Sequence, residues 1–131
     1  MTQIPEQSRD LLEEPVTASL ATVLPNGQPQ VTPVWCDLED GLIRVNTAKG
    51  RQKHKDMVDR PQVTVMAIDP QNPYRYLEVR GRVARIEEEG ADAHIDLLAK
   101  QYMGVDRYPY HDPAQTRVIS YIEPIKVSGQ G

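Results

Sequence analysis

The segment that most constrains this fold is Pro25-Asn-Gly27, set between two long β-prone runs. Proline presets φ at about −65°, and Asn-Gly accepts the positive φ angles that tight turns demand. Val16 to Leu24, before the turn, is rich in Thr, Val and Ala, as a largely buried strand would be. A second strand follows from about Gln28 to Leu38. After a short helix from Ile4 to Glu14, ended by Pro15, the chain thus opens on a hairpin, and a hairpin commits its strands to antiparallel pairing.

The remaining punctuation extends that plan. Glu39-Asp-Gly41 makes the next turn, and Leu42 to Thr47 reads as a third strand. A helix from Gly50 to Asp59 stops before Pro61. Gln62 to Ile68 is apolar or β-branched after its first residue, which predicts a central strand buried on both faces. Asp69 to Pro73 is a loop. Tyr74 to Glu87 alternates as a long, half-exposed strand. Glu88 to Met103 is an amphipathic helix with Ile95, Leu98 and Tyr102 at helical spacing, Gly104 to Pro113 a loop, and Arg117 to Val127 a last strand. The 131 residues suffice for one domain with its own core. Six strands separated by hairpin turns and short helices predict a mainly β domain, an antiparallel closed or split barrel rather than a doubly wound sheet.

Charge narrows the function. A net charge of −4 and a pI near 5.3 argue against a general nucleic-acid or membrane-surface role. No apolar run approaches the ~20 residues of a membrane span, and the N-terminus lacks the basic and apolar regions of a signal peptide. Cys36 is alone, which excludes an internal disulfide, fits a reducing cytoplasm and reads as a buried spectator thiol. His54, His94 and His111 stand far apart with no metal-binding spacing; His94 falls on a polar helix face. No serine carries a nucleophile-elbow motif, and Glu87-Glu-Glu89 suits the dipole of an opening helix.

Against this acidic background, Lys49, Arg51, Lys53 and Lys55 crowd into seven residues where the third strand gives way to a helix. A strand end, Gly50 and the first turn of a helix expose unpaired N–H groups, and the helix dipole adds positive charge. The plain alternative is a solvated helix face, but residues four apart would then repel. The cluster reads as a seat for an anion, most simply a phosphate. Beside it, Thr32-Pro-Val-Trp35 lies in a paired strand: Pro33 cannot donate to a ladder and marks an edge or opening, and Trp35 offers a flat apolar face. Tyr74, Arg75 and Tyr76 follow a loop and could cover a ring from a neighbouring subunit. Binding groups without an evident acid, base or nucleophile suit a cofactor that carries the chemistry itself.

Taken together, Ser19 to Trp35, Val45 to Met57, Asp59-Arg-Pro-Gln-Val-Thr-Val65 and Tyr76-Leu-Glu-Val-Arg-Gly-Arg-Val83 resemble the pyridoxamine 5′-phosphate oxidase-like superfamily, over about Leu12 to Val127. Within it the chain looks most like the small deazaflavin oxidoreductases of the B type, which use coenzyme F-420. The resemblance implies a six-stranded antiparallel split β-barrel of the FMN-binding type, and a homodimer with its cofactor sites at the subunit interface. It implies a small-molecule substrate, with no nucleic-acid or membrane partner. It places Asn46, Thr47, Arg51, Gln52 and Lys53 at the phosphate and Thr32, Pro33, Val34 and Trp35 against the ring. Tyr74 and Arg75 would come from the partner. FMN is the alternative cofactor, and a non-catalytic flavin or deazaflavin carrier the alternative role. The Arg-x-His substrate motif of pyridoxamine phosphate oxidases is missing, so oxidation of vitamin B6 is not expected.

Overall fold

The computed structural model of the protein describes residues 2–130. Its strands are β1 (Ala18–Val23), β2 (Pro29–Val34), β3 (Cys36–Glu39), β4 (Leu42–Ala48), β5 (Gln62–Ile68), β6 (Tyr76–Glu87) and β7 (Arg117–Gln130). The helices are α1 (Asp10–Glu13), α2 (Gln52–Asp59) and α3 (Ala91–Met103), with a 3₁₀ turn at Glu6–Ser8. All seven strands form one antiparallel sheet in the order β2-β1-β5-β6-β7-β4-β3.

The two edge strands of that sheet, β2 and β3, are separated in sequence by Trp35 alone. The sheet must therefore curl until its edges meet at that residue, which makes the split barrel. Six strands were expected and seven are present because the run from Gln28 to Leu38 divides here. Val34 pairs with Ala18 of β1, whereas Cys36 pairs with Val45 of β4. One continuous extended segment cannot keep both partners, so it breaks where it changes from one to the other.

Alternation along the strands sends Leu20, Ile43, Val45, Val65, Leu77, Val79 and Ile122 into the barrel, where all are essentially inaccessible. Burying such side chains supplies about 1.5–3 kcal/mol each. Leu11 and Leu12 of α1 join the same core, although the helix expected from Ile4 to Glu14 is only a 3₁₀ turn and one α turn. β5 departs from its expected double burial: Val63, Val65 and Ala67 are buried, but Thr64 and Met66 are only half-buried, because no helix covers the outer face there. A smaller cluster of Ala91, Ile119 and Tyr121 seats α3 on the outside of the sheet.

Two local features hold the frame. At Gly81 the register shifts by a bulge, and an added Cβ would lie 2.7 Å from Ile122 Cγ2 and 2.8 Å from the Glu123 carbonyl oxygen. Only glycine lets β6 and β7 approach so closely. The fully buried Asp56 of α2 accepts hydrogen bonds from Thr22 Oγ1 (3.0 Å), Gln52 Nε2 (2.7 Å) and Arg60 (3.1 Å). Arg60 Nε also donates to the Val23 carbonyl at 2.6 Å, so α2 is fastened to β1 at both charge and backbone.

Candidate functional site

Where the barrel closes at Trp35, a cleft of about 280 Å³ opens between the sheet, α2, α3 and the loop before β7. Its apolar wall is Pro33, Val34 and Trp35 from the sheet edge, with Ile95 and Leu98 from α3. Its polar wall carries Arg51, Lys53 and Arg117; Thr17, Asn46 and Tyr108 complete it. No carboxylate, thiol or histidine lines it among the described residues.

The cations arrive from two elements, the start of α2 and the start of β7. Gly50, at φ +90°, turns the chain from β4 into α2, a left-handed conformation that costs a side-chain-bearing residue about 1–2 kcal/mol. Arg51 then caps α2 in an extended conformation, with no side chain satisfying the first N–H groups of the helix. Lys53 follows within the first turn. Arg117 opens β7 opposite Ala48 and is only 8% exposed. Its Nε donates to Asn46 Oδ1 at 2.8 Å, and its guanidinium lies 5.3 Å from the Tyr108 ring centroid.

Crowding of like charge marks the site. Burial, then Arg51 and Arg117, hold the Lys53 ammonium below the ordinary lysine range. Burial likewise lowers Arg117, with Arg51 adding to the effect and Tyr108 opposing it. No carboxylate forms an ion pair with Arg51, Lys53 or Arg117 among the described residues. Buried charge is ordinarily paired. Arg117 is buried, Lys53 half-buried and Arg51 exposed, and three cations around one cleft without a counter-charge fit an anionic ligand.

The aromatic side is built by packing. Trp35 stacks on Tyr102 (centroids 5.1 Å apart, planes at 14°) and meets Tyr108 edge-on at 6.2 Å. The Tyr102 hydroxyl is anchored by Cys36 N–H at 3.2 Å and lies 3.0 Å from the Val16 carbonyl. The loop carrying Tyr108 is clipped to α3 at Asp96 Oδ1, which accepts from Tyr108 N–H (2.8 Å) and contacts His111 Nε2 (2.7 Å). Cys36 itself is inaccessible, and burial pushes its thiol up to about 12.

The residues singled out in the sequence are thus divided. Pro33, Val34, Trp35, Asn46, Arg51 and Lys53 share the cleft wall. Thr32 lies on β2 outside the cleft lining. Thr47 is fully buried in the barrel wall, with Oγ1 unpartnered. Gln52 bonds Asp56, as above. Lys49 is paired with Glu88, and Lys55 does not line the cleft. Tyr74 is 80% exposed, and Arg75 is committed to Asp10 (2.5 Å), Asp69 (3.1 Å) and the Gln7 carbonyl (2.7 Å). Neither lines the cleft.

Arg117 and Tyr108 escaped the sequence reading. Only the β4–β7 register brings Arg117 beside Arg51, and no spacing in the chain encodes it. His94 is not on a polar face but 3% exposed, held between Asn46 and Asp37. Among the described residues no three His, Cys, Asp or Glu side chains gather as a metal site, and no helix is long and apolar enough to cross a membrane.

Comparison with known proteins follows the same lines. No curated protein matches the chain. A solved structure named F420 reductase is 38% identical, with a TM-score of 0.84 over 95% of this chain and 98% of its own. A conserved hypothetical protein of Mycobacterium tuberculosis (24% identity, TM-score 0.72, covering 98% and 89%) shares the fold. So does HupZ of Group A Streptococcus (21%, 0.68, covering 97% and 94%). The profile described as pyridoxamine 5′-phosphate oxidase matches residues 4–131, the whole barrel and the cleft at its seam, and the chain belongs to that family.

Proposed function

We propose that the protein is an oxidoreductase that binds coenzyme F-420 in the cleft at Trp35 and serves hydride transfer to an unsaturated organic acceptor. The observation that carries this reading is the convergence of Arg51, Lys53 and the buried Arg117 beside an apolar wall, with no acidic partner lining the cleft among the described residues. A phosphate would complete that charge, through charge-assisted hydrogen bonds to the two guanidinium groups and the ammonium. Pro33, Val34 and Trp35 would lie against the ring. When bound, the deazaflavin supplies the hydride. The residues of this chain bind, orient and exclude water, which is positioning rather than acid–base work.

FMN is the second reading. Lys49 is drawn off to Glu88 and Lys55 does not line the cleft, so with Arg117 three cations face it, and three suffice for a single phosphate. A second copy of the chain is the expected partner. The uncovered outer face of β1, β2, β5 and β6 carries a groove of about 620 Å³ that includes Ala21, Val23, Pro29 and Ile125, and Val31 there is 62% exposed. Such an apolar sheet face suits a symmetric dimer.

Titrating the purified protein with coenzyme F-420 and with FMN, beside Lys53→Ala, tests the reading by fluorescence. Micromolar binding of the deazaflavin, weakened at least tenfold in the variant, is expected. Preference for FMN moves the protein to the flavin branch, and unchanged affinity in Lys53→Ala removes the cleft from the site.

A further inference from the structure

We infer that Asn46 is a positioning residue for Arg117 rather than a ligand of the anion, and that a buried line of hydrogen bonds through His94 to Asp37 sets its orientation. The inference rests on the cleft's being the anion site.

Asn46 points out of β4 beneath α3 and has three polar partners. Its Nδ2 lies 2.9 Å from the Ala91 carbonyl oxygen and 3.1 Å from His94 Nδ1; its Oδ1 lies 2.8 Å from Arg117 Nε. A carbonyl can only accept and a guanidinium N–H can only donate. Both constraints turn the amide the same way, with NH₂ toward α3 and oxygen toward Arg117.

The rest of the line follows from that orientation. With an Asn46 N–H aimed at it, His94 Nδ1 must accept, so the neutral ring carries its proton on Nε2 and donates it to Asp37 Oδ1 at 3.1 Å. Asp37 is gripped in turn by both Nε and a terminal nitrogen of Arg44, at 2.9 and 2.6 Å. Burial alone would raise the Asp37 carboxyl, but His94 and Arg44 outweigh it and hold it below the usual carboxylate range. The far end of the line is thus an anchored carboxylate.

Two consequences bear on the cleft. Both Asn46 N–H groups are spent on Ala91 and His94, so none remains to donate to a phosphate. Its oxygen, facing the cleft side, offers an anion nothing. What Asn46 does is occupy Arg117 Nε, which leaves the terminal nitrogens of that guanidinium free of Asn46 in a side chain that lines the cleft with Arg51, Lys53 and Tyr108. Asn46 acts on the ligand through Arg117.

The test is a double-mutant cycle read as affinity for coenzyme F-420 and FMN, together with ¹⁵N NMR of the His94 ring in protein without cofactor. Asn46→Leu should weaken binding roughly tenfold. In an Arg117→Met background the same change should have little further effect, because coupled residues are not additive. A direct ligand role, or general loosening of the fold, would give additive losses and overturn the inference. His94→Asn, which can keep an acceptor near the Nδ1 position, should bind better than His94→Leu; equal affinities would count against the line. The NMR spectrum should show the proton on Nε2, and an Nδ1–H tautomer would refute it even if every variant misfolded. Lys53→Ala separates the two levels. If that control leaves affinity unchanged, the anion site itself is wrong and the inference falls with it. If it weakens binding while Asn46→Leu and Arg117→Met add, only the positioning role is wrong.

Discussion

Replacing Arg117 with methionine should separate stability from binding. The side chain is 8% exposed, makes one hydrogen bond to Asn46 and has no carboxylate in an ion pair with it among the described residues, while Arg51 and Lys53 repel it. Replacing buried ion pairs by apolar groups of similar volume is often neutral or stabilising by about 1–4 kcal/mol. Arg117, repelled by Arg51 and attracted by Tyr108 and by an Asp92 too far away for an ion pair, has little Coulomb energy to lose. Against that, Asn46 Oδ1 loses its donor, at about 1–3 kcal/mol, and the contact with Tyr108 goes, at about 0.5–2 kcal/mol. These terms nearly cancel, so the cofactor-free variant should lie within about 2 kcal/mol of the parent in urea denaturation. Cofactor binding should behave differently. Hydrogen bonds to a charged group contribute about 1.5–3 kcal/mol, roughly 10- to 150-fold in affinity, and nothing compensates for their loss. A site that keeps an unsatisfied cation for its ligand trades stability for function in this way. The reasoning is refuted if Arg117→Met loses more than about 3 kcal/mol of stability while its affinity for coenzyme F-420 and FMN is unchanged. Arg117 would then be a structural arginine.

Three further outcomes are expected. Because the folded protein holds the Lys53 ammonium below its ordinary value, the unfolded chain binds more protons in the window between the two, and stability rises with pH there. The stability of the parent relative to Lys53→Met should therefore climb through the alkaline range that ends at about 10.4, and a flat difference contradicts the crowding of cations. Burial and the raised thiol predict that Cys36 resists a thiol reagent at pH 8 in the native protein and reacts fully in denaturant; rapid native labelling would mean that the seam at Trp35 opens. Gly81→Val should cost about 1–3 kcal/mol or more by thermal denaturation, since its Cβ would sit 2.7 Å from Ile122 Cγ2 and 2.8 Å from the backbone oxygen of Glu123. An unchanged melting temperature would show that β7 can shift away.

Much of the fold is local in origin and could be read from the chain. Pro25-Asn-Gly27 forces the first hairpin, Pro61 ends α2, and alternation marks β6. The break at Trp35 is not local: it exists because one extended run must pair with β1 on one side and β4 on the other, and only closure of the sheet imposes that. The half-exposed outer face of β5 has a similar origin, since periodicity cannot say which face a helix will cover. In the site, Arg51 and Lys53 were legible as charge concentrated at a strand-to-helix turn. Lys49 and Lys55 looked equivalent to them in sequence, but Glu88 captures Lys49 ahead of the helix, and Lys55, farther along α2, does not line the cleft. Arg75 looked like a spare cation and is tied to three groups of its own chain. His94 sat among polar residues on a helix, and its burial became visible only once α3 was placed over Asn46.

The most direct measurement is a crystal structure of the protein grown with coenzyme F-420. The account predicts the cofactor's phosphate within hydrogen-bonding distance of Arg51, Lys53 and the terminal nitrogens of Arg117, and the deazaflavin ring against Pro33, Val34 and Trp35. A cofactor bound elsewhere, or a phosphate held without Arg117, would contradict it.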